Sequence, residues 1–457
     1  MELPSLFQQR MQTLLEDEYE AFLAAYGSPL RRGVRINTGK IKTEEFLSLF
    51  PHPLVASPFA PDSYYLDAPH KAGSDPLHHA GAYYMQEPSA ASAVAVLAPQ
   101  PGDRVLDLCA APGGKSTQIA TTTGDSGLLW SNEYVAARTR ILQQNLERWG
   151  VRNQVVSNRD TAAVCDAMES YFDKVLVDAP CSGEGMFRKE PLALTEWCMD
   201  NIALCAARQD EILNNAAKAV RPGGRLVYST CTFAPEENEG AVVRFLKAHP
   251  NFELLPIEAD WGCAGFSADR IRPFCPEVDG DVDTTRCRRI LPQHGGEGHF
   301  IALFRRTGDA YGGKPPLYPS PTKDPHAAAA AELYRDCFTD EPEGLFVTFG
   351  DQVRLLPRDL PDCRGLGVAG VAIATVCKNR LEPCHSIFAA SQAADCRRRL
   401  ELSYDSPLLT AFLHGEEIPC DTEKGWTAVC VGGVTVGFGK AGSGKLKNRY
   451  PKGLRLL

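Results

Sequence analysis

The sequence predicts an α/β protein in which a parallel β-sheet is wrapped by helices, with smaller domains on either side. The chain has 457 residues, which suggests about three domains at roughly 150 residues each. Between residues 83 and 306, short apolar runs alternate with helical stretches, the pattern of a parallel sheet with helical connections. Hydrophobic residues make up 44% and charged residues 23%, as in ordinary folded proteins.

The first 82 residues predict a small α+β domain. Leucine and aromatic side chains recur at helical spacing over residues 3–27, which predicts a helix there. A short strand pattern begins at Arg31 and runs to Thr38. Residues 51–82 are rich in Pro, His, Ser and Tyr, so we expect a loop-rich connector before the sheet.

The region 83–306 is expected to hold the main sheet. Its short apolar runs predict buried strands, and the amphipathic stretches between them predict helices. The predicted strands cover 104–108, 127–131, 154–157, 174–178, 225–229 and, late in the region, 299–304, and helices include 136–149 and 201–220.

Three segments follow the predicted core. Residues 307–327 are rich in Pro, Gly, Ser and Lys and predict a linker. Residues 328–400 predict a small mixed domain. Residues 401–457 carry short β-like runs at 428–431 and 434–438 and a basic end, in which no acid follows Lys440.

Composition also excludes several classes of protein. The net charge of −9 excludes a wholly basic nucleic-acid coat protein but leaves room for a local basic groove. There is no long apolar run, and residues 1–10 lack the pattern of a secretory signal, so we expect a cytoplasmic protein without a membrane partner. The sixteen cysteines lack metal-ligand spacing, so no metal is expected. A monomer is the default expectation.

The stretch 104–116 is the most informative in the chain. A buried strand runs into a tight turn of small residues, and a helix is expected to start near Lys115. Glycines allow a ligand to approach the backbone, and a helix start favours an anion. A P-loop would need glycine where Cys109 stands, and a second near match ending at Lys445 has Leu446 in place of Ser or Thr. Both departures disfavour ATP hydrolysis.

The alternative ligand is S-adenosylmethionine. Such a site needs a small turn for the methionine moiety and acids for the ribose and adenine. Glu133, Asp160 and Asp178 follow three successive predicted strands, which places them along one edge of the sheet.

Two cysteines also finish predicted strands. Cys181 follows the fourth strand and Cys231 the fifth, so both are expected at the same edge as Asp178. C5 of a pyrimidine is a poor nucleophile, but a thiolate that adds at C6 makes it enamine-like and able to attack a methyl group. A hydrogen-bond donor at N3 stabilises the charge.

Three motifs resemble the Sun/Fmu family of RNA cytosine-5 methyltransferases. They are Asp107-Leu-Cys-Ala-Ala-Pro-Gly-Gly-Lys-Ser116, Asp178-Ala-Pro-Cys-Ser-Gly183 and Ser229-Thr-Cys231. The wider layout is similar to the bacterial, RsmF-like ribosomal RNA branch, through Arg35-Ile-Asn-Thr38, Tyr84-Met-Gln-Glu-Pro-Ser89 and Gly298-His-Phe300. The resemblance implies a Rossmann-like methyltransferase core, an RNA-binding N-terminal domain and a PUA-like RNA-binding module over 401–457.

The resemblance also implies roles for individual residues. Cys231 would be the nucleophile, Cys181 would help to release the product, and Asp178 would serve both the target base and the cofactor. The implied contacts to S-adenosylmethionine are Cys109, Ala110, Ala111, Pro112, Gly113, Gly114, Lys115, Glu133, Asp160 and Asp178. The implied substrate is ribosomal RNA or the small ribosomal subunit. The same chemistry on tRNA, or a non-catalytic RNA-binding assembly factor, remain alternatives.

Basic and aromatic side chains outside these motifs are candidate RNA contacts. The target base must leave any stack to reach a deep crevice, and a basic face would bind phosphates. The basic candidates are Arg31, Arg32, Arg35, Lys40, Lys42, Arg188, Lys189, Arg286, Arg288, Arg289 and the C-terminal end. Tyr83, Tyr84 and Phe187 could stack on bases, although core packing is as good an interpretation of the tyrosines.

Overall fold

The computed structural model describes residues 3–308, 313–320, 323–378 and 380–456. In the N-terminal part, the helix predicted over 3–27 is interrupted where Glu16 takes a φ of 49° and ends the first helix. The elements are α1 (Ser5–Leu15), α2 (Tyr19–Tyr26), α3 (Thr43–Leu49), α4 (Pro76–His79), β1 (Gly33–Ile36), β2 (Val55–Ala56), β3 (Ser63–Tyr65) and β4 (Tyr83–Met85).

These four strands form an antiparallel sheet in the order β2-β3-β1-β4. The prediction of a loop-rich connector over 51–82 is therefore wrong in part, since β2 and β3 lie within it. Strands of two and three residues are too short for an alternating pattern to reveal them. The fourth strand, β4, lies just beyond residue 82, the predicted boundary between this domain and the core.

The central part contains nine strands and eight helices within residues 92–306, all of them described. The strands are β5 (Arg104–Asp107), β6 (Leu128–Asn132), β7 (Gln154–Ser157), β8 (Phe172–Asp178), β9 (Val220–Thr230), β10 (Phe252–Leu255), β11 (Cys263–Ala264), β12 (Arg288–Ile290) and β13 (His299–Arg306). The helices are α5 (Ser92–Leu97), α6 (Gly114–Thr123), α7 (Ala136–Trp149), α8 (Thr161–Ala167), α9 (Pro191–Glu196), α10 (Met199–Ala219), α11 (Glu239–Ala248) and α12 (Ala268–Ile271).

The main sheet confirms the predicted α/β class. Its central strands β9-β8-β5-β6-β7 are parallel, and β13 adds to β9 in the antiparallel direction. The chain winds outward from β5 in both directions, so the strand order switches there, and ligands bind at the carboxyl ends of strands at such a point. Helix α7 and strand β7 have the predicted bounds, whereas β9 starts five residues before the predicted 225.

The C-terminal part contains two further sheets. Its elements are α13 (Ala327–Cys337), β14 (Leu345–Phe349), β15 (Gln352–Leu356), β16 (Gly367–Ala369), β17 (Val371–Cys377), β18 (Arg380–Pro383), α14 (His385–Ala389), β19 (Arg399–Leu402), α15 (Pro407–His414), β20 (Ile418–Pro419), β21 (Gly425–Val431), β22 (Val434–Gly442) and β23 (Lys445–Asn448). The first sheet is β14-β15-β17-β18 and the second is β19-β21-β22-β23-β20. Strand β16 instead pairs with β7 and extends the central sheet.

The segment predicted as a linker, 307–327, lies partly outside the described residues, at 309–312 and 321–322. Its described residues contain no regular strand before α13 begins at Ala327, apart from an isolated bridge between Leu317 and Pro361. None of the sixteen cysteines, all of which lie in the described part, forms a disulfide. Within the described ranges, no helix has both the length and the apolar composition needed to cross a membrane.

Candidate active site

A cavity of about 310 Å³ opens at the carboxyl ends of β5, β8 and β9. Five stretches of chain line it: strand β4 and the residues after it, the glycine-rich turn after β5, the loop after β8, Cys231 just after β9, and the start of β13 with the residues before it. The cavity therefore lies where the strand order switches, the position expected for ligand binding in an open α/β sheet.

The glycine-rich turn forms the floor of the cavity. Gly113 takes a φ of 112°, a value that favours glycine, and is the N-cap residue of α6. A Cβ on Gly114 would lie 3.3 Å from atoms of both Tyr84 and Gln86, so the turn runs close against the residues of β4 and just after it. The residues of the turn that line the cavity are Cys109, Ala110, Ala111, Pro112, Gly114 and Lys115, whereas Gly113 does not line it. Their contact with the cofactor stays a prediction.

Arg35 holds this turn in place and is not an RNA contact. Its side chain is fully buried and donates hydrogen bonds to Gln86 Oε1, the Gly114 carbonyl oxygen and Thr117 Oγ1, at 2.8, 2.9 and 2.6 Å. The prediction of a phosphate contact at this position is wrong. The sequence could not show that a strand in the N-terminal sheet points its arginine at the core.

Asp107 lies at the end of β5 beneath the turn. Its Oδ2 accepts a hydrogen bond from Ser116 Oγ at 2.6 Å, while its buried Oδ1 has no partner among the described residues. Burial raises the pKa of this carboxyl to about 7. An acceptor that is buried and unpaired next to a cavity suits a polar ligand that supplies the missing donor.

The structure brings Cys181 and Cys231 together, with their Sγ atoms 3.2 Å apart. The parallel pairing of β8 and β9 sets Asp178 opposite Ser229, so the loops that follow leave the sheet side by side. The hydrogen bond to Cys231 and burial both raise the pKa of Cys181 well above the ordinary range. Cys181 therefore keeps its proton at neutral pH and can donate a hydrogen bond to the neighbouring sulfur.

Buried carboxylates that no sequence motif indicates hold the two cysteine loops together. Glu237 accepts hydrogen bonds from the backbone N–H and the hydroxyl of Ser182. Glu184 accepts from Thr232 Oγ1 and the Phe233 N–H, at 3.0 and 2.9 Å. These bonds tie the Cys181 loop to the Cys231 loop. Finding them requires the spatial contact, because the partners are about fifty residues apart in the chain.

Asp178 and Lys115 form an ion pair in the cavity wall. Lys115 Nζ donates to Asp178 Oδ2 at 2.6 Å, and Ser229 Oγ donates to Asp178 Oδ1 at 2.7 Å. Burial alone would raise the pKa of Asp178, but the nearby charges of Lys115 and His299 and the hydrogen bonds from Lys115 and Ser229 together outweigh burial and lower that pKa. Although burial opposes it, the Asp178 carboxylate likewise raises the pKa of Lys115. Both groups are therefore charged at neutral pH.

Glu133 and Asp160 stand at the predicted sheet edge but not in the cavity wall. Glu133 follows β6, where its carboxylate accepts from the Val135 N–H at 2.8 Å. Asp160 is exposed and caps α8 by accepting from the Ala163 N–H at 2.8 Å. Neither is among the described residues that line the cavity. Their assignment to the cofactor stays a prediction.

The sequence missed Gln86, Glu297 and His299 as wall residues. A topological rule would have indicated the last of these. Strand β13 runs antiparallel to β9 and pairs Phe300 with Thr230, so the start of β13 returns to the edge where β9 ends. A polar residue at the beginning of an antiparallel last strand is thus a candidate site residue.

Several other predicted RNA contacts are structural. Phe187 is buried against Phe7, with ring centroids 5.1 Å apart, so it is not a stacking platform. Arg289 is buried in an ion pair with Glu239 at 2.5 Å. Lys40 donates to two backbone carbonyls and burial lowers its pKa to about 7. Arg31, Arg32 and Lys42, in contrast, are exposed.

Sequence comparisons match three family descriptions to successive parts of the chain. Residues 3–88 match the N-terminal domain of 16S rRNA methyltransferase RsmF, residues 94–305 match 16S rRNA methyltransferase RsmB/F, and residues 399–456 match the methyltransferase RsmF PUA domain. The ribosomal RNA small subunit methyltransferase F of Vibrio campbellii is 31% identical over 99% of this chain and 97% of its own length. That of Klebsiella pneumoniae is 32% identical over 95% and 92%.

Solved structures show the same fold for the core. A methyltransferase homologue from Pyrococcus horikoshii is 31% identical, covers 66% of this chain and 95% of its own, and has a TM-score of 0.58. The structure of NSun6 from Pyrococcus horikoshii with SFG covers 67% of this chain and 99% of its own at 22% identity, with a TM-score of 0.56. The second likeness concerns the fold alone.

Proposed function

Since the chain belongs to the RsmB/F family of 16S rRNA methyltransferases, we propose that it methylates C5 of a cytosine in small-subunit ribosomal RNA. The methyl donor in this proposal is S-adenosylmethionine. The observation that carries the proposal is the contact between the sulfur atoms of Cys181 and Cys231, which lie 3.2 Å apart, with Cys231 in the wall of the cavity. Two thiols in contact suit a reaction in which one forms and breaks a bond to carbon and the other assists.

The residues of the glycine-rich turn suit the cofactor. The start of α6 presents backbone N–H groups that favour a carboxylate, and the unpaired Asp107 Oδ1 offers an acceptor. In this proposal residues 109–115 hold the methionine part, and Glu133 and Asp160 bind the ribose and adenine along the sheet edge. When bound, S-adenosylmethionine supplies a methyl group on a sulfonium sulfur, which is electrophilic.

Cys231 acts as the nucleophile in the proposed mechanism. Its thiolate adds to C6 of the cytosine and forms an S–C6 bond, which places electron density on C5 and on the N3–O2 side of the ring. The Lys115–Asp178 pair supplies hydrogen bonds and charge at that side. C5 then takes the methyl group. Loss of the C5 proton and cleavage of the S–C6 bond restore the aromatic ring and return the thiolate.

Cys181 assists the release step. Because it stays a thiol, it can donate its S–H hydrogen bond to the sulfur of Cys231 as that atom regains negative charge. Without this bond the leaving thiolate is less stable, so the covalent adduct should persist longer. A base accepts the C5 proton as the electron pair of the S–C6 bond returns to the sulfur of Cys231.

Two alternatives to this proposal are methylation of tRNA and a non-catalytic role in assembly. Methylation of tRNA would use the same cavity, and a non-catalytic assembly factor would have no need of the paired cysteines. The likeness to rRNA methyltransferases along the whole chain favours ribosomal RNA. Bisulfite sequencing of RNA from a strain that lacks the protein distinguishes the three. We expect one cytosine of 16S rRNA to lose its methyl group, and a loss in tRNA or no loss would overturn the proposal.

A further inference from the structure

His299 lies in the cavity wall with one ring nitrogen that has no hydrogen-bond partner among the described residues. Its side chain is 5% exposed and lines the cavity next to Asp178 and Lys115. Its Nε2 is buried and has no hydrogen-bond partner within the part of the chain that the structure describes. A buried polar atom without a partner costs free energy, so a ligand that supplies the partner would remove that cost.

The hydrogen bonding of the ring fixes what kind of partner it needs. Nδ1 lies 3.0 Å from the carbonyl oxygen of Gly298, and a carbonyl oxygen can only accept, so Nδ1 carries the proton and donates it. Burial and the nearby Lys115 ammonium lower the pKa of His299 to about 4, so the ring is neutral at pH 7. Nε2 is therefore a lone-pair acceptor, and its partner must be a donor.

A second acceptor stands beside it. Asp178 Oδ1 lies 3.9 Å from His299 Nε2, too far for a hydrogen bond between them. Two neighbouring acceptors that face one cavity suit a group with two N–H donors. The exocyclic N4 amino group of cytosine has two, whereas uracil carries at that position an oxygen that can only accept.

We propose that His299 is a specificity-determining residue, whose Nε2 accepts a hydrogen bond from the N4 amino group of the target cytosine and disfavours uracil. This inference rests on the proposed function and adds the residue that selects the base. A site built to bond an N–H group discriminates against analogues that lack it, because its own polar atom is then left unpaired. Asp178 alone cannot supply this selection, since it also pairs with Lys115.

The test compares two bases in two proteins. Synthetic RNA spanning the mapped position, naked or in a reconstituted small subunit, carries either cytosine or 2-pyrimidinone, which is cytosine without its amino group. His299→Phe keeps a ring of similar size and removes both nitrogens. We expect it to lower kcat/KM about tenfold on cytosine and less than twofold on 2-pyrimidinone. The different reactivity of the two rings cancels, since each base is compared with itself.

A second variant restores an acceptor without the histidine. The amide of His299→Gln can accept from cytosine or donate to the oxygen of uracil. It should recover most of the cytosine rate and reduce the preference for cytosine over uracil about tenfold. His294→Phe is the matched control, because His294 bonds the Leu291 N–H outside the cavity wall, and its effect should be equal on all bases.

Two results would overturn the role of His299. One is an equal loss on cytosine and on 2-pyrimidinone in His299→Phe, which would mean damage to the fold of the wall. The other is an unchanged preference of His299→Gln for cytosine over uracil. This second result tests the role of His299 even where His299→Phe does not fold. Failure of the wild-type protein to methylate any cytosine would instead contradict the proposed function. The ratio of kcat/KM between variant and wild type tests the role of His299 alone.

Discussion

The cavity at the sheet edge and the basic face of the last sheet use charged residues in opposite ways. In the cavity wall, Lys115 and Asp178 are bonded to each other at 2.6 Å. On the hairpin of β22 and β23, Lys440 stands directly opposite Lys447, and both are exposed. Replacing one of two buried groups that bond to each other should cause a large loss of activity or stability. Replacing an exposed charge should change RNA binding by a small amount that depends on salt.

The largest effect is expected inside the cavity, at Cys231. Replacement by Ala removes the atom that bonds to C6, so we expect methyl transfer to fall by at least about a thousandfold. Binding of S-adenosylmethionine and of RNA should stay close to the wild-type values, since the turn and the basic face are unchanged. Single-turnover methyl transfer with a labelled donor measures the loss.

Cys198→Ala is a suitable control for this variant, since Cys198 is an exposed cysteine at the N-cap position of α10. It should keep normal turnover. If Cys231→Ala also kept normal turnover, the assignment of the nucleophile would be wrong, and the comparison would lose its sharpest element.

A smaller effect of a different kind is expected at Cys181. In Cys181→Ala the sulfur of Cys231 loses its hydrogen-bond donor, so release should slow by about a hundredfold while the covalent bond still forms. An RNA–protein adduct should then appear as a shifted band on a denaturing gel. The double variant with Cys231→Ala should give no band. A Cys181→Ala sample with rapid turnover and no adduct would remove the proposed role in release.

Arg35 is a buried arginine that can be compared with the exposed Arg32 near it in the chain. Arg35→Met removes the donor to Gln86 Oε1 and to Thr117 Oγ1 and one of the donors to the Gly114 carbonyl, so we expect a loss of about 2 kcal/mol in the free energy of unfolding and weaker cofactor binding. The salt dependence of RNA binding should not change. Thermal unfolding and salt titrations measure both. The variant Arg32→Met of the exposed arginine should keep the free energy of unfolding and reduce the salt dependence of RNA binding. Identical behaviour of the two variants would contradict the contrast between buried and exposed charges.

The sequence predicted what depends on local pattern and order along the chain. It predicted the parallel sheet, the glycine-rich turn and the meeting of Cys181 with Cys231, because strand ends in a parallel sheet share one edge. It did not separate Arg35, which is buried within β1, from Arg32, which is exposed just before β1, because the two arginines stand in one short basic run without a period that shows which of them packs inward. It also missed His299, whose place depends on the antiparallel direction of β13.

The smallest effect is expected on the basic face, at Lys447. Like charges directly opposite each other on a sheet destabilise it, so Lys447→Ala should leave the fold unchanged or a few tenths of a kcal/mol more stable. If this face binds phosphate, the same change should weaken RNA binding several-fold and reduce the slope of log K against log salt by about one. Lys247→Ala is the control, because Lys247 is paired with Asp279 at 2.6 Å on α11 of the core. A slope that matches the control would mean that phosphates bind elsewhere. The exposed charges of this face would then have no part in RNA binding.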